Sequence, residues 1–424
     1  MADQVVLGLD IGTNRIKFAE ARQGRQGPVI TNAGSAPTPR DTISNGVIVD
    51  PSTLAAAVRD LLDQHGVAAK SVVSSVASQS SLVVRPIEVP RMTRQELADT
   101  MQWEVERHIP FAASEVVMDF QPLIPPEDLP PDAQNMDVLL AVAQEDMINA
   151  HVETLFRAGL DPSALDVEPL AACRSLVDIN RDRGAYDQTF ALLNVGANTT
   201  DLSIIRKGLL SFTRPVPLAG DNITNAIAEA LGYEFHEAER VKLEQATLFL
   251  DGAPALEAGR PIPPQADPEA ERAPAPPEGE EEAAGARVFD LGADTGPAQG
   301  PAEPPRVSGL PILHTPGSGS PARQVYDAML PTLVELVTEV RRSIEYYVNR
   351  FPDSRVDKIL LYGGTARLPN FVEFLANEVA VPVEIGNPFL RAEVDAGRLS
   401  HDFIAQHAAF MPIVVGLAIR DFID

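Results

Sequence analysis

The sequence predicts an α/β protein built from two similar lobes. Short apolar runs, which are typical of strands, alternate with longer segments of helical periodicity along most of the 424 residues. A unit of strand, glycine turn and strand occurs twice, once at the N-terminus and once near the middle of the chain. A chain of this length can form two domains, each with its own core.

Individual elements follow from the apolar pattern. The segment Pro51–His65 predicts a helix, because Leu54, Val58 and Leu61 form one stripe and Gly66 is suited to end it. Other strands are predicted over Val5–Leu9, Val72–Val76, Val138–Ala143 and Lys358–Tyr362, and a long helix over Gln324–Phe351.

Residues 251–321 differ in composition from the rest. They contain 15 of the 37 prolines together with acidic runs such as Glu278–Glu282. Such a segment buries too little apolar surface to offset its ordering entropy, so we predict a disordered acidic, proline-rich insert within a folded domain. A passive insertion on a loop is favoured over a segment that docks a partner.

Charge and cysteine content restrict the partners and the compartment. The formal net charge of −26 argues against nucleic-acid binding, which requires a basic surface. No uncharged apolar stretch reaches the roughly 18 residues of a membrane span, and no basic segment precedes the first strand as in a signal peptide. The single Cys173 excludes an internal disulfide. We therefore expect a cytoplasmic protein.

The repeated turn is the strongest indication of function. Leu9–Asn14 reads LDIGTN and Leu193–Asn198 reads LNVGAN, each between two strand-like runs. Glycine lets the backbone approach an anion closely, and consecutive turn amides form a concave donor surface for phosphate. A simple hairpin would explain one copy, but two matched copies favour lobes that close on a phosphate chain. The residues assigned to this contact are Asp10, Gly12, Thr13, Asn14, Lys17, Asn194, Gly196, Ala197, Asn198 and Thr199.

Three later stretches are expected to complete a cleft. The segment Leu218–Thr224 is predicted to be a loop that enters a helix, with Asp221 as its N-cap. Glu239 and Lys242 lie three apart on one helical face, which suits a ribose contact or a solvent-facing ion pair, and without context the ion pair is favoured. A strand that ends in paired glycines leaves bare backbone for a flat base. The residues assigned to the cleft here are Gly220, Glu239, Lys242, Gly363, Gly364 and Arg367.

Together these segments resemble the actin-like ATPase superfamily, whose two-lobe fold is ribonuclease H-like. The resemblance implies lobe I over residues 1–188, lobe II over residues 189–424, and a small α+β subdomain inserted at about residues 79–160. It also implies that ATP and Mg²⁺ bind between the lobes, with Asp10 as the residue that holds the metal through water.

Within that superfamily, Glu104–Phe111 is similar to the E-x-E-x-x-IPF stretch of the type IV pilus assembly protein PilM family. That family implies a cytoplasmic ATP-binding scaffold that works with other pilus assembly proteins. Its members bind the cytoplasmic N-terminal tail of PilN, a single-pass protein, so association with the inner membrane would be peripheral and without direct insertion. The residues assigned to the partner peptide are Trp103, Glu104, Ile109, Pro110 and Phe111.

The peptide-binding segment is predicted to be a helix. Thr93 and Glu96 form a capping box, and the helix is expected to end before Pro110. Trp103 lies off the apolar stripe that starts at Leu97. It suits either a peptide anchor or a subdomain helix packed on two sides, and packing is favoured because core aromatics outnumber binding hot spots.

One departure from the superfamily concerns catalysis. Asn194 stands where the second phosphate turn usually carries an aspartate, and an amide brings no negative charge to a metal or an attacking water. We therefore expect at most a slow ATPase. Two alternatives remain open: a small-molecule kinase with Asp166 or Glu168 as its base, and a filament-forming protein similar to FtsA.

Overall fold

The computed structural model describes residues 5–77, 81–109, 111–177, 183–248, 320–351, 354–390, 392–395 and 397–423, without the side chains at 102, 104–108, 113, 183, 184 and 390. All of these residues belong to one compact unit. The insert predicted over 251–321 lies outside the described residues up to position 319.

The elements are numbered along the chain. The strands are β1 (Val5–Ile11), β2 (Arg15–Gln23), β3 (Pro28–Pro37), β4 (Ile43–Ser44), β5 (Val47–Ile48), β6 (Ser71–Val76), β7 (Leu82–Pro90), β8 (Val116–Pro122), β9 (Asn135–Gln144), β10 (Asp161–Val167), β11 (Thr189–Val195), β12 (Thr200–Arg206), β13 (Leu209–Val216), β14 (Lys358–Tyr362), β15 (Val383–Ile385) and β16 (Glu393–Val394). The helices are α1 (Pro51–Gln64), α2 (Arg94–His108), α3 (Glu145–Arg157), α4 (Glu168–Leu176), α5 (Arg183–Tyr186), α6 (Gly220–Leu231), α7 (Phe235–Gln245), α8 (Pro321–Arg350), α9 (Phe371–Val379), α10 (His401–His407) and α11 (Pro412–Ala418).

Two sheets repeat one topology. The sheet of lobe I has the order β10-β6-β1-β2-β3-β16, and that of lobe II has the order β13-β12-β11-β14-β15. In each, three antiparallel strands are followed by two parallel ones, and in lobe I the short β16 adds a sixth strand parallel to β3. The two-lobe arrangement predicted from the repeated turn is therefore confirmed, as is the ribonuclease H-like fold that the resemblance implies.

The helices that cover the sheets pack against them through the apolar stripes that the sequence predicts. Leu54, Val58 and Leu61 of α1 are buried in the core of lobe I, and Gly66 follows the helix with a left-handed φ of 64°. The long helix α8 starts at Pro321, slightly before the predicted residue, and covers the sheet of lobe II with its apolar face. Each lobe thus has a core of its own.

A separate three-stranded sheet forms the inserted subdomain, residues 82–144. Its strand order is β7-β9-β8, and α2 packs on it through Leu97 and Met101. The predicted capping box is present, since the Thr93 amide donates to the Glu96 carboxylate at 2.8 Å and Thr93 Oγ1 accepts from the Glu96 amide at 3.3 Å. The next helix, α3, packs with lobe I, because Leu155 belongs to its core.

Helices α4 and α11 pack against each other where the lobes meet. The apolar cluster around them combines Val73 of lobe I with Leu192 of lobe II. The helices approach so closely that a Cβ on Gly416 would overlap the Ala171 carbonyl group. A Cβ on Gly8 would likewise lie 2.5 Å from the Val414 carbonyl oxygen of α11. These glycines fix the position of α11 against both α4 and β1.

Candidate functional site

The two glycine turns have the same geometry. The Gly12 amide donates to the Arg15 carbonyl at 3.1 Å, and the Gly196 amide donates to the Thr199 carbonyl at 2.9 Å. Each turn connects two antiparallel strands that begin pairing immediately beside it. The repeat therefore extends from the sequence to individual hydrogen bonds.

The first turn carries an ion pair and two open side chains. Lys17 lies opposite Asp10 in the hairpin, and its ammonium group is 2.5 Å from the Asp10 carboxylate, which is buried. The Thr38 hydroxyl donates to the Gly12 carbonyl at 2.6 Å and fixes the turn from outside. Thr13 and Asn14 are exposed at its tip. The short polar side chains of Thr13 and Asn14 are thus accessible to a ligand, and the Lys17 ammonium group supplies a positive charge near them.

The second turn is joined to two other predicted site segments. The Gly196 carbonyl accepts from the Gly220 amide at 3.1 Å and from the Thr365 hydroxyl at 2.9 Å. The Ala197 carbonyl accepts from the Asp221 amide at 2.7 Å. Helix α6 begins at Gly220, so Asp221 lies inside its first turn. The predicted role of Asp221 as N-cap is therefore wrong. The tip residues Asn198 and Thr199 follow Ala197 in this turn.

The ion pair predicted between Glu239 and Lys242 is present. Their side chains are 2.7 Å apart, and the Lys242 ammonium group also donates to the Gly220 carbonyl at 3.0 Å and to the Thr224 hydroxyl at 2.7 Å. Lys242 thus links α7 to the first turn of α6. Both charged side chains keep part of their surface exposed, which leaves them accessible to a ligand.

Paired glycines after β14 complete this side of the site. Gly363 has a φ of 100° and lies so close to the second turn that a Cβ would be 2.7 Å from Asn194 Oδ1. Gly364 faces open space. Arg367, two residues beyond Thr365, is exposed, with its guanidinium carbon 5.8 Å from the centre of the Phe410 ring. The structure thus brings Gly363, Asn194 and Gly220 together.

Three carboxylates, those of Asp10, Glu168 and Asp201, lie near one another beside the turns. Of these, only Asp10 is predicted from the sequence to hold the metal. Burial, followed by the charges of Asp10 and Asp201, raises the pKa of Glu168 well above its usual value. Burial raises the pKa of Asp201 to about 6, although the Thr199 hydroxyl donates to it at 3.2 Å and acts in the opposite direction. Two signals could have revealed these residues: Glu168 follows the end of a parallel strand, and Asp201 lies opposite Asn194 in the hairpin.

The negative charge of this cluster, though not a set of direct ligands, suits a divalent cation. Buried carboxylates that repel one another are stabilised by a cation. No group of three or more carboxylate, histidine or cysteine side chains in the described part of the chain is arranged to hold a metal by itself. Water and ligand oxygens would have to complete the coordination, as is usual for Mg²⁺ bound with a phosphate chain.

Tyr362 forms part of the wall next to these carboxylates. It pairs with Asn194 across the parallel strands β11 and β14 and is buried. Burial, followed by the charges of Glu168, Asp201 and Asp10, raises the pKa of the phenol well above its usual value. Tyr362 is therefore neutral over the physiological range.

The residues assigned to a partner peptide lie around the end of α2. Trp103 is 73% exposed, so the favoured interpretation of a side chain packed on two sides is wrong. α2 covers only one face of its sheet and leaves this side chain outside. Ile109 packs partly against the core of the subdomain, and Phe111 is partly buried. The Glu104 side chain and Pro110 lie outside the described residues.

None of the described helices is long and apolar enough to cross a membrane. Two family models match the chain: that of the type IV pilus assembly protein PilM over residues 8–248, and that of the cell division protein FtsA over residues 191–405.

Among curated relatives, FtsA of Streptococcus pneumoniae (strain D39) is 26% identical over 56% of this chain and 54% of its own length. FtsA of Escherichia coli (strain K12) is 25% identical over 57% of this chain and 60% of its own length. The chain therefore spans less than two thirds of these relatives.

A solved structure matches the whole chain. A chain of the PilM–PilN type IV pilus biogenesis complex superposes with a TM-score of 0.73 and 26% identity, and the match covers 98% of both chains. The family model spans more than half of the sequence. The chain belongs to the type IV pilus assembly protein PilM family, with the fold of the actin-like ATPases.

Proposed function

We propose that this protein is a cytoplasmic ATP-binding scaffold of the type IV pilus machinery. It binds the N-terminal tail of a PilN-like membrane protein through its inserted subdomain, and nucleotide controls the closure of its lobes. The observation that carries the proposal is the match along 98% of both chains to a chain of the PilM–PilN complex.

ATP with Mg²⁺ is the ligand that the cleft suits best. The amides at the tips of both turns would bind the phosphates, since the Gly12 and Gly196 amides already donate within the turns. Lys17 would supply a positive charge behind the first turn. Asp10, Glu168 and Asp201 would hold Mg²⁺ together with water and phosphate oxygens. Bound Mg²⁺ neutralises phosphate charge and polarises the bond to the terminal phosphate.

Lobe closure follows from the position of the two turns. The turn at Gly12 belongs to lobe I and the turn at Gly196 belongs to lobe II, so a phosphate chain that contacts both would favour the closed arrangement. The junction of α4 and α11 is tightly packed around Gly416, which suits rotation of two rigid lobes about it. Hydrolysis is expected to be slow, because Asn194 supplies no charge to the metal or to water.

The partner surface is centred on Trp103. An indole that is 73% exposed offers a large apolar area with little entropy to lose, and such side chains are frequent binding hot spots. It projects from α2, close to the segment that ends at Phe111. A peptide anchored in a membrane would bring the scaffold to the inner membrane without any insertion of its own.

A peptide titration tests this proposal. The chain contains one tryptophan, so Trp103 emission reports directly on a synthetic PilN-like tail, and calorimetry gives its affinity with and without Mg²⁺–ATP. We expect a blue shift on binding and a loss of about tenfold or more in affinity for Trp103→Ala. Tyr346→Ala, which removes an exposed aromatic side chain from α8 of lobe II, is the matched control. Absence of binding in the presence of Mg²⁺–ATP would refute the partner assignment.

The FtsA matches favour filament formation as a second candidate function. The FtsA model covers residues 191–405, most of lobe II, and actin-like folds include filament formers. Sedimentation of the protein with Mg²⁺–ATP separates the two candidates, since a scaffold stays in the supernatant. The kinase alternative finds less support: Asp166 is paired with Arg174 at 2.6 Å, and Glu168 lies among other carboxylates.

A further inference from the structure

Two guanidinium groups that come from different lobes each lie over the Phe410 ring. The guanidinium carbon of Arg15, in β2, is 5.9 Å from the ring centre, and that of Arg367, after β14, is 5.8 Å from it. Phe410 packs in the core that α11 forms with the sheet of lobe I. The Gly363 amide of lobe II donates to the neighbouring Ala409 carbonyl at 2.7 Å. The ring therefore stands at the junction of the lobes.

The two guanidinium groups have no carboxylate partner among the described residues. Arg15 donates only to the neutral hydroxyl of Ser35, at 2.9 and 3.3 Å, and no described carboxylate is within 4.0 Å of Arg15 or Arg367. Burial, followed by the charge of Arg367, lowers the pKa of Arg15. The ring of His407 lies 5.3 Å from Phe410. Burial, and to a smaller extent both arginines, lowers the pKa of His407. The charges of Arg15 and Arg367 are therefore not paired directly with any described carboxylate.

The position of Arg15 connects this charge to the first glycine turn. Its carbonyl accepts the hydrogen bond from the Gly12 amide that closes the turn, at 3.1 Å, and its side chain points to the junction at Phe410. Arg15 therefore connects the phosphate turn of lobe I to the junction of the lobes. The planar guanidinium group forms paired hydrogen bonds with oxyanions, and contact with an aromatic face orients it without neutralising it.

We propose that Arg15 and Arg367 form an oxyanion site across the junction of the lobes, occupied by a phosphate group of the bound nucleotide. The inference rests on the proposed nucleotide function and adds Arg15 to the binding residues. Without an anion the two like charges repel each other at the junction. With a phosphate between them each lobe contributes one guanidinium to the same group, so the site favours closure.

Calorimetric titration of the full chain with ATP, ADP and adenosine, each in Mg²⁺, tests this site. The variants are Arg15→Gln and Arg367→Gln, and the control is Arg157→Gln, which removes an exposed guanidinium from α3. Loss of one charge-assisted contact should weaken ATP and ADP binding by about tenfold. Adenosine binding and the Arg157→Gln variant should match wild type. The double variant should lose less than the product of the single losses, because both groups bind one anion.

Several outcomes would overturn the inference. Unchanged ATP affinity in both single variants excludes the site, and an equal loss for adenosine shows that the arginines contact the base. The melting curve without ligand shows whether Arg15→Gln folds. If it does not, the ATP affinities of Arg15→Lys and of Arg367→Gln, which changes an exposed side chain, test the site instead.

Failure of the proposed function has a different signature. Wild type would then bind no nucleotide at all, and inorganic phosphate becomes the probe. A rise in melting temperature with phosphate that both Arg→Gln variants lose supports the anion site by itself. No rise in wild type rejects the site together with the proposed function.

Discussion

Asn194 lies opposite Asp201 in the second hairpin, as Asp10 lies opposite Lys17 in the first. The two hairpins therefore place a carboxylate on different strands: on the leading strand in lobe I and on the returning strand in lobe II. The amide of Asn194 is 3.5 Å from the Glu168 carboxylate. A carboxylate at this position would stand directly beside Glu168 and close to Asp201.

Asn194→Asp is expected to increase hydrolysis and to destabilise the nucleotide-free protein. The new charge would lie beside Glu168, and like charges at this separation cost about 1 kcal/mol or more when partly buried. With Mg²⁺ bound, the same charge would help to orient water. Phosphate release and urea unfolding measure the two effects, with Asn194→Ser as the uncharged control. Equal phosphate release by wild type and Asn194→Asp would contradict the role assigned to Asn194.

Much of the fold could be predicted because its signals are local. The strand–turn–strand repeat and the stripe of α1 depend on residues close in sequence. The cluster of Glu168 and Asp201 could not be predicted with the same certainty, because separate segments meet there only after both sheets have formed. The exposure of Trp103 could not be predicted for a related reason. Periodicity indicates which face of a helix is buried, but not whether a second element covers the other face.

Asp201→Asn is expected to stabilise the nucleotide-free protein and to weaken Mg²⁺–ATP binding. Burial raises the pKa of Asp201 from 3.8 to about 6, so the native state disfavours the ionised form, and its stability falls as the pH rises through this interval. The neutral amide removes this cost, which should add about 3 kcal/mol to the free energy of unfolding at pH 8 and little at pH 4. Urea unfolding at both pH values measures the difference. Equal gains at both would show that titration of Asp201 is not the cause.

Gly416→Ala is expected to destabilise the junction of the lobes strongly. Its Cβ would overlap the Ala171 carbonyl group of α4, and two packed helices cannot separate without opening the cluster between the lobes. We expect a loss of about 3 kcal/mol or more in the free energy of unfolding. Gly364→Ala is the matched control, because its Cβ would face open space and should leave stability nearly unchanged. Similar melting temperatures for the two variants would contradict the close contact of α4 with α11.

His151 is expected to make the protein less stable in mild acid. Its Nε2 is 2.9 Å from the Ser74 hydroxyl, which itself donates to the Leu9 carbonyl at 2.8 Å, so Nε2 donates its hydrogen to that hydroxyl. Burial lowers the pKa of His151 from 6.5 to about 4. The unfolded chain therefore binds a proton more readily, and stability present above pH 6.5 is lost as the pH falls towards 4, by up to about 3 kcal/mol. Urea unfolding across this interval should show a flatter pH dependence for His151→Gln than for wild type, even though the variant starts from a lower value at pH 8. Parallel pH profiles would show that another group is responsible.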